Sequence, residues 1–197
     1  MKFCPICNST HFVDFNGRKN AKCGQCGSLE RHRTIALALF SLNLKPDSNV
    51  AIVSTFDGLG VWNFLPPLLN VELLKITNLD ENIDTKQYDI IIHEHWVGRI
   101  NNNLIECIRY INNMLRPDGH QIFTMVFNGQ KTNLTPDEKN AFNVGGDFQT
   151  VLSQHGFKVI PSDLFEIHGA SIIEECSLGI SADQKVSANS AFMLKKI

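Results

Sequence analysis

A chain of 197 residues can bury one substantial core and a small accessory module, not two full domains. Its 43% hydrophobic and 19% charged content is ordinary for a globular protein, and a net charge of −2 gives no overall attraction for nucleic acid or an acidic membrane. No apolar run approaches the roughly 20 residues that a membrane helix needs, and Met1-Lys2-Phe3 runs straight into Cys4-Pro5 with no leader-like segment.

The first thirty-three residues differ from the rest. They carry six Lys/Arg and two acids, against twelve and eighteen in the remaining 164, a mildly basic head on an acidic body. Two Cys-x-x-Cys pairs, Cys4–Cys7 and Cys23–Cys26, are separated by fifteen residues. Two intervening residues let a tight turn aim both sulfurs at one metal. Between the pairs, His11 to Phe15 alternates like a short strand and Asn16-Gly17 is a hairpin signal. Disulfides would fit a secreted protein, a redox site needs only one such pair, and an iron–sulfur cluster shows other spacings. The expected site is therefore one structural Zn2+ held by Cys4, Cys7, Cys23 and Cys26, with no open coordination position. Cys107 and Cys176 stand alone in apolar stretches, as free thiols do in a reducing compartment, and the expected location is cytoplasmic.

Ser28 is a candidate N-cap for a helix from Leu29 to Leu42, with an apolar face at Leu29, Ile35, Leu39 and Leu42. Glu30, Arg31, His32 and Arg33 begin it, either as an ion-pair lock between head and body or as substrate contacts. No flexible linker intervenes, so head (1–33) and body (34–197) are expected to pack together.

The body then alternates. Val50 to Val53 is a strand, 61–69 a short helix, Val71 to Ile76 a strand, and Tyr88 to Ile92 a continuous apolar strand of the kind covered on both faces. Leu104, Ile108, Ile111 and Leu115 recur at helical spacing and end at Arg116-Pro117-Asp118-Gly119. Gln121 to Phe127 is a strand, Thr135-Pro136-Asp137-Glu138 a capping box, Asp147 to His155 a helix, and Phe157 to Ile160 and Asn189 to Lys195 the last strands. Such alternation predicts a mostly parallel sheet with helices on both faces. Ligands then bind beyond the strand carboxyl ends, at the loops 54–60, 77–80 and 93–99. Ser54 to Gly60 reads either as a backbone cradle or as a tight strand-to-helix turn. His93, Glu94 and His95 cannot easily converge on one metal, because neighbouring strand residues point to opposite faces. Trp96 is expected to wall a pocket or fill the core.

From Cys4 to Arg33 the pattern Cys-x-x-Cys, gap, Cys-x-x-Cys-Gly-Ser-Leu-Glu-Arg-His-Arg resembles the head of a group of small class I S-adenosylmethionine-dependent methyltransferases with an N-terminal zinc ribbon. Tyr88 to Ile92 resembles the fourth strand of that class, Leu115 to Gly119 the turn before the fifth, and Gly156-Phe157-Lys158-Val159 the sixth. The resemblance implies an α/β, Rossmann-like, doubly wound, mostly parallel sheet behind a zinc ribbon. It also implies S-adenosylmethionine as cofactor and a small-molecule or carrier-bound methyl acceptor, while charge and hydropathy lead to no expectation of a nucleic acid or membrane partner. Cofactor contacts would fall on Ser54, Thr55, Asp57, Gly58, Gly60, Asn78, Asp80 and His93, and His95 would act as the catalytic histidine. The sequence departs from the family in five places: two are His95-Trp96-Val97-Gly98-Arg99 after the fourth strand and a short stretch around Asn143 to Asp147, and the other three fall in the expected cofactor region. The glycine loop is reduced to Asp57-Gly58-Leu59-Gly60, no acid closes the second strand, and residues 70–88 are too short for the usual second strand, helix and third strand. Those departures support the alternative, a non-catalytic methyltransferase-like scaffold that binds a partner protein or RNA.

Overall fold

A computed structural model of the chain describes residues 2–54, 69–79, 86–94, 96–97, 100, 102–125, 131–135, 142, 144–160 and 191–197. Strands β1 (Phe12–Phe15) and β2 (Arg18–Cys23) form the antiparallel hairpin of the head. Asn16 (φ 48°) and Gly17 (φ 74°) make its turn, both in the left-handed region that Asn-Gly supplies at low cost.

Helix α1 (Glu30–Phe40) follows without a break and leads into β3 (Asn49–Ser54). Then come β4 (Asn70–Lys75), β5 (Tyr88–Glu94), α2 (Leu104–Asn113), β6 (Leu115–Thr124), α3 (Phe148–Gln154), β7 (Lys158–Ile160) and β8 (Ala191–Lys195). The six body strands form one sheet in the order β4-β3-β5-β6-β8-β7. β4, β3, β5 and β6 are parallel, and β8 runs antiparallel to both its neighbours.

Helices cover both faces, which is why β3 and β5 are apolar at every central position. Val50, Ile52, Ile90, Ile92 and Ile122 face α1 and pack against Ile35, Ala38 and Leu39. Those three recur at the i, i+3, i+4 spacing of one helix face. Ala51, Val53, Ile91 and Phe123 face the other way, toward α2, α3 and Trp96. Asn103 caps α2 with its side-chain oxygen, accepting from Ile105 N at 2.9 Å. Gly156 (φ 83°) ends the turn after α3. No helix among the described residues is long and apolar enough to cross a membrane.

Several expected boundaries shift. α1 starts at Glu30 with Leu29 at the N-cap, because the Ser28 hydroxyl lies against sulfur and the His32 ring replaces it, Nδ1 accepting from Leu29 N at 3.0 Å. Leu115 opens β6 rather than closing α2, and Arg116 to Gly119 lie within that strand, at a bulge opposite Tyr88–Ile90 with Asp118 at φ 63°. Two strands, not three, precede β5 in the described sheet, and only twelve residues (76–87) join β4 to β5. That length suits one crossover, not a helix plus a further strand. Asp89 sits at the amino end of β5, accepting from Asn49 N at 2.8 Å and pairing with Arg116. Residues 61–68 of the expected 61–69 helix, the capping-box helix after Thr135 and Cys176 lie outside the described residues.

Candidate functional site

The chain passes from β3 outward to β4 and then returns to β5 on the other side of β3. The strand order therefore reverses between β3 and β5, and their carboxyl ends frame the place where an open parallel sheet takes its ligand. Ser54 closes β3 and Glu94 closes β5, at the same end of the sheet.

Two hydrogen bonds tie this end together. Ile76 N donates to Ser54 O at 3.1 Å, and Trp96 Nε1 donates to Ile76 O at 2.8 Å. Trp96 is buried, so it fills the core beneath the rim while its one polar atom is satisfied. β4 ends in the exposed Lys75, and exposed Asn78 follows three residues later. Among the described residues no carboxylate closes that strand. His93 points to the α2 face, wholly buried, stacked on Phe123 at 4.7 Å between ring centroids and hydrogen-bonded to Gln121 through Nε2 at 2.8 Å. Glu94, one residue on, points to the α1 face, as strand alternation requires. Thr55, Asp57, Gly58, Gly60, Asp80 and His95 lie outside the described residues.

In the head, the sulfurs of Cys4, Cys7, Cys23 and Cys26 all lie within 4.8 Å of one another. Cys4–Cys26 are 3.7 Å apart and Cys7–Cys23 3.6 Å. A disulfide would need about 2 Å, whereas four thiolates around a tetrahedral ion at about 2.3 Å stand about 3.8 Å apart. Backbone amides face the first sulfur of each pair. Burial raises the Cys4 thiol, and the N–H groups of Ile6 and Cys7 counter it. Burial also works against Cys23, but the N–H groups of Cys26 and Gln25 hold it down at about 7. Donors aimed at sulfur favour thiolate, the form that ligates metal. The set could therefore hold one metal ion. Cys107 contrasts with it: burial, with the Glu106 charge, pushes its thiol up to about 12, and among the described residues it belongs to no such cluster.

The head and the sheet meet at Glu94. His32 Nε2 donates to Glu94 Oε2 at 2.7 Å, and Arg31 Nε donates to Oε1. Since His32 Nδ1 accepts from the backbone, the ring proton belongs on Nε2 and the tautomer is fixed. Burial would raise the Glu94 carboxyl, but the hydrogen bond from His32, with the Arg31 guanidinium, holds it down at about 2.

A carboxyl depressed in the folded state adds stability above its unfolded value, near 4.3, and that stability is lost as the pH falls toward 2. Wild type is expected to lose about 1.5 kcal/mol more than Glu94→Gln between pH 5 and pH 3. Urea melts of both chains at the two pH values check this.

The Glu30–Arg33 run is thus an ion-pair lock for Arg31 and His32. Glu30 and Arg33 instead stay within the head, where Arg18 Nη1 donates to Glu30 Oε2 at 2.8 Å and Arg33 donates to Ser28 O and Ala21 O. The partner, Glu94, was readable in principle: it shares its face with Ile90 and Ile92, the face that α1 covers.

No protein-family profile and no curated protein sequence matches the chain. Solved structures do resemble it. The [4+2]-cyclase SpnF is 11% identical with a TM-score of 0.56, over 95% of this chain and 87% of that one. The plantazolicin methyltransferase BpumL, solved with S-adenosylhomocysteine, is 10% identical with a TM-score of 0.50, over 85% and 82%. Phospholethanolamine N-methyltransferase 2 of Haemonchus contortus, solved with phosphomonomethylethanolamine and S-adenosylhomocysteine, is 14% identical with a TM-score of 0.50, over 85% of this chain and 38% of that one. At these identities the likeness is one of fold, and the fold is that of the class I methyltransferases. One of the three is named for a cyclisation, so the fold alone does not fix the reaction.

Proposed function

We propose that the chain is an S-adenosylmethionine-dependent methyltransferase acting on a small-molecule or carrier-bound acceptor in the cytoplasm, with a structural Zn2+ in its head. In this reading residues 1–33 are the zinc ribbon and 34–197 the Rossmann-like catalytic domain. The observation that carries it is the juxtaposition of Ser54 and Glu94 at one end of a class I methyltransferase sheet, on either side of its switch point. The cofactor supplies a methyl group already activated on a sulfonium centre, so the protein has only to bind, orient and keep water out.

The residues present fit such a ligand in their donor chemistry. Ser54 opens a loop in which Gly58 and Gly60 would let backbone amides approach the amino-acid end, with Thr55 and Asp57 beside them. Asn78, exposed beyond β4, would hydrogen-bond the ribose hydroxyls in place of an acid, with Asp80 close by in sequence. His93, stacked and bonded beneath the rim, would brace the floor, and His95 would take a proton from the acceptor where one must leave.

A second reading, a scaffold without methyl transfer, is favoured by one feature. β4 closes on Lys75 and not on a carboxylate, and it joins β5 through twelve residues.

Replacing Gly58 by valine separates the two. If the enzyme reading holds, S-adenosylhomocysteine at a hundredfold excess over its dissociation constant adds about 2.7 kcal/mol to wild type, and Gly58→Val abolishes that shift while retaining its metal. Equal melting temperatures for wild type with and without millimolar ligand would favour the scaffold.

A further inference from the structure

The first turn of α1 divides its contacts between two bodies. Glu30 and Arg33 lie about 60° apart around a helix and turn to the hairpin, where Arg18 and the carbonyls of Ala21 and Ser28 receive them. Arg31 and His32 turn to the sheet, and both end on Glu94. The same turn begins at Ser28, which is buried against the thiol cluster. Its hydroxyl lies 3.2 Å from Cys26 Sγ and 3.5 Å from Cys4 Sγ, and its carbonyl accepts from Cys23 N at 2.8 Å. A continuous chain of polar contacts therefore runs from the four sulfurs, through Ser28 and the helix start, to the carboxyl end of β5.

We propose that Glu94 is a latch through which metal occupancy of the four thiols is thermodynamically linked to the order of the crevice rim. Only one residue separates Cys26 from Ser28, so the helix start cannot keep its place when the sulfurs move apart. Among the described residues 2–29 the buried apolar side chains are Cys4, Ala21, Cys23 and Leu29, two of them ligands, so the metal supplies most of what fixes this turn. Without it Arg31 and His32 lose their station, and Glu94 keeps a largely buried charge with its donors gone. Linkage is reciprocal, so a broken latch must also weaken the metal. This holds whether or not the crevice takes S-adenosylmethionine.

The test is competition for zinc(II) against a chromophoric chelator, run on the full chain. Glu94→Gln and, from the other side of the latch, Arg31→Gln are each expected to raise the zinc dissociation constant about tenfold, within the usual range of coupling between sites. Glu72→Gln, which removes the charge that Lys86 pairs with on the body and leaves an amide oxygen for the Tyr88 hydroxyl, is expected to leave it unchanged. So is Gly119→Ala, which strains the opposite end of the sheet. Hydrogen exchange supplies the second readout. Zinc removal should speed exchange of the 91–94 amides in wild type and add little in Glu94→Gln. Unchanged zinc affinity in both latch variants would overturn the proposal. So would equal weakening in Gly119→Ala, which would reduce the effect to global stability, or a wild-type β5 terminus indifferent to zinc.

Discussion

Cys4→Ser is expected to strip the metal from the head and unfold residues 2–28, while the six-stranded sheet stays folded. Binding of a structural zinc ion is worth on the order of 10 kcal/mol. The hairpin has little else to hold it, since Val13 is exposed and Phe12 and Phe15 are only half-buried. Metal analysis should fall from about one zinc per chain to none, and amide protection should vanish across β1 and β2. Cys107→Ser is the control: that thiol lies in the sheet-side core with Ile108 and Ile111, far from the cluster in the fold, and zinc content should not change. Iron in the purified protein, or full zinc in Cys4→Ser, would refute the four-thiolate site.

Gly119→Ala is expected to cost about 3 kcal/mol, through overpacking rather than backbone conformation. A Cβ there would stand 2.9 Å from Arg116 O, 3.1 Å from Asp89 O and 3.2 Å from Tyr88 O. All three are backbone atoms of the paired β5 and β6, so none can swing aside. For a chain of this size the melting temperature should fall by roughly 6–12 °C. Gly146→Ala, with nothing within 4 Å of the added carbon, should change it little. A Gly119→Ala protein as stable as wild type would mean that the bulge at the start of β6 is misplaced.

The head was legible because its rules are local. Cys-x-x-Cys spacing and the Asn-Gly turn each specify geometry within a few residues. β3 and β5 were legible as well, since unbroken runs such as Val50-Ala51-Ile52-Val53 and Ile90-Ile91-Ile92 admit few readings other than buried parallel strands. The shortened 70–88 segment pointed to one missing element, and among the described residues two strands of the sheet precede β5, with twelve residues between β4 and β5.

What stayed hidden depends on partners distant in sequence. Ser28 looks like a helix cap, yet a sulfur claims its hydroxyl and an imidazole takes over the capping. Arg116-Pro117-Asp118-Gly119 has the chemistry of a turn, but it lies within a strand because the chain there runs directly beside Tyr88 and Asp89. Glu94 reads as an ordinary rim acid until the head is seen seated on it, 62 residues away at His32. The loop that would hold the cofactor, 55–60, lies outside the described residues, so its role rests on chemistry and on the position of Ser54.

The central claim is that the switch point between β3 and β5 is a cofactor site. Its most direct test is a calorimetric titration of zinc-loaded, full-length protein with S-adenosylhomocysteine. The account predicts one saturable site per chain, with heat lost in Gly58→Val and the zinc content of that variant intact. A flat titration at millimolar ligand, in wild-type protein with one zinc and a cooperative melt, would contradict it.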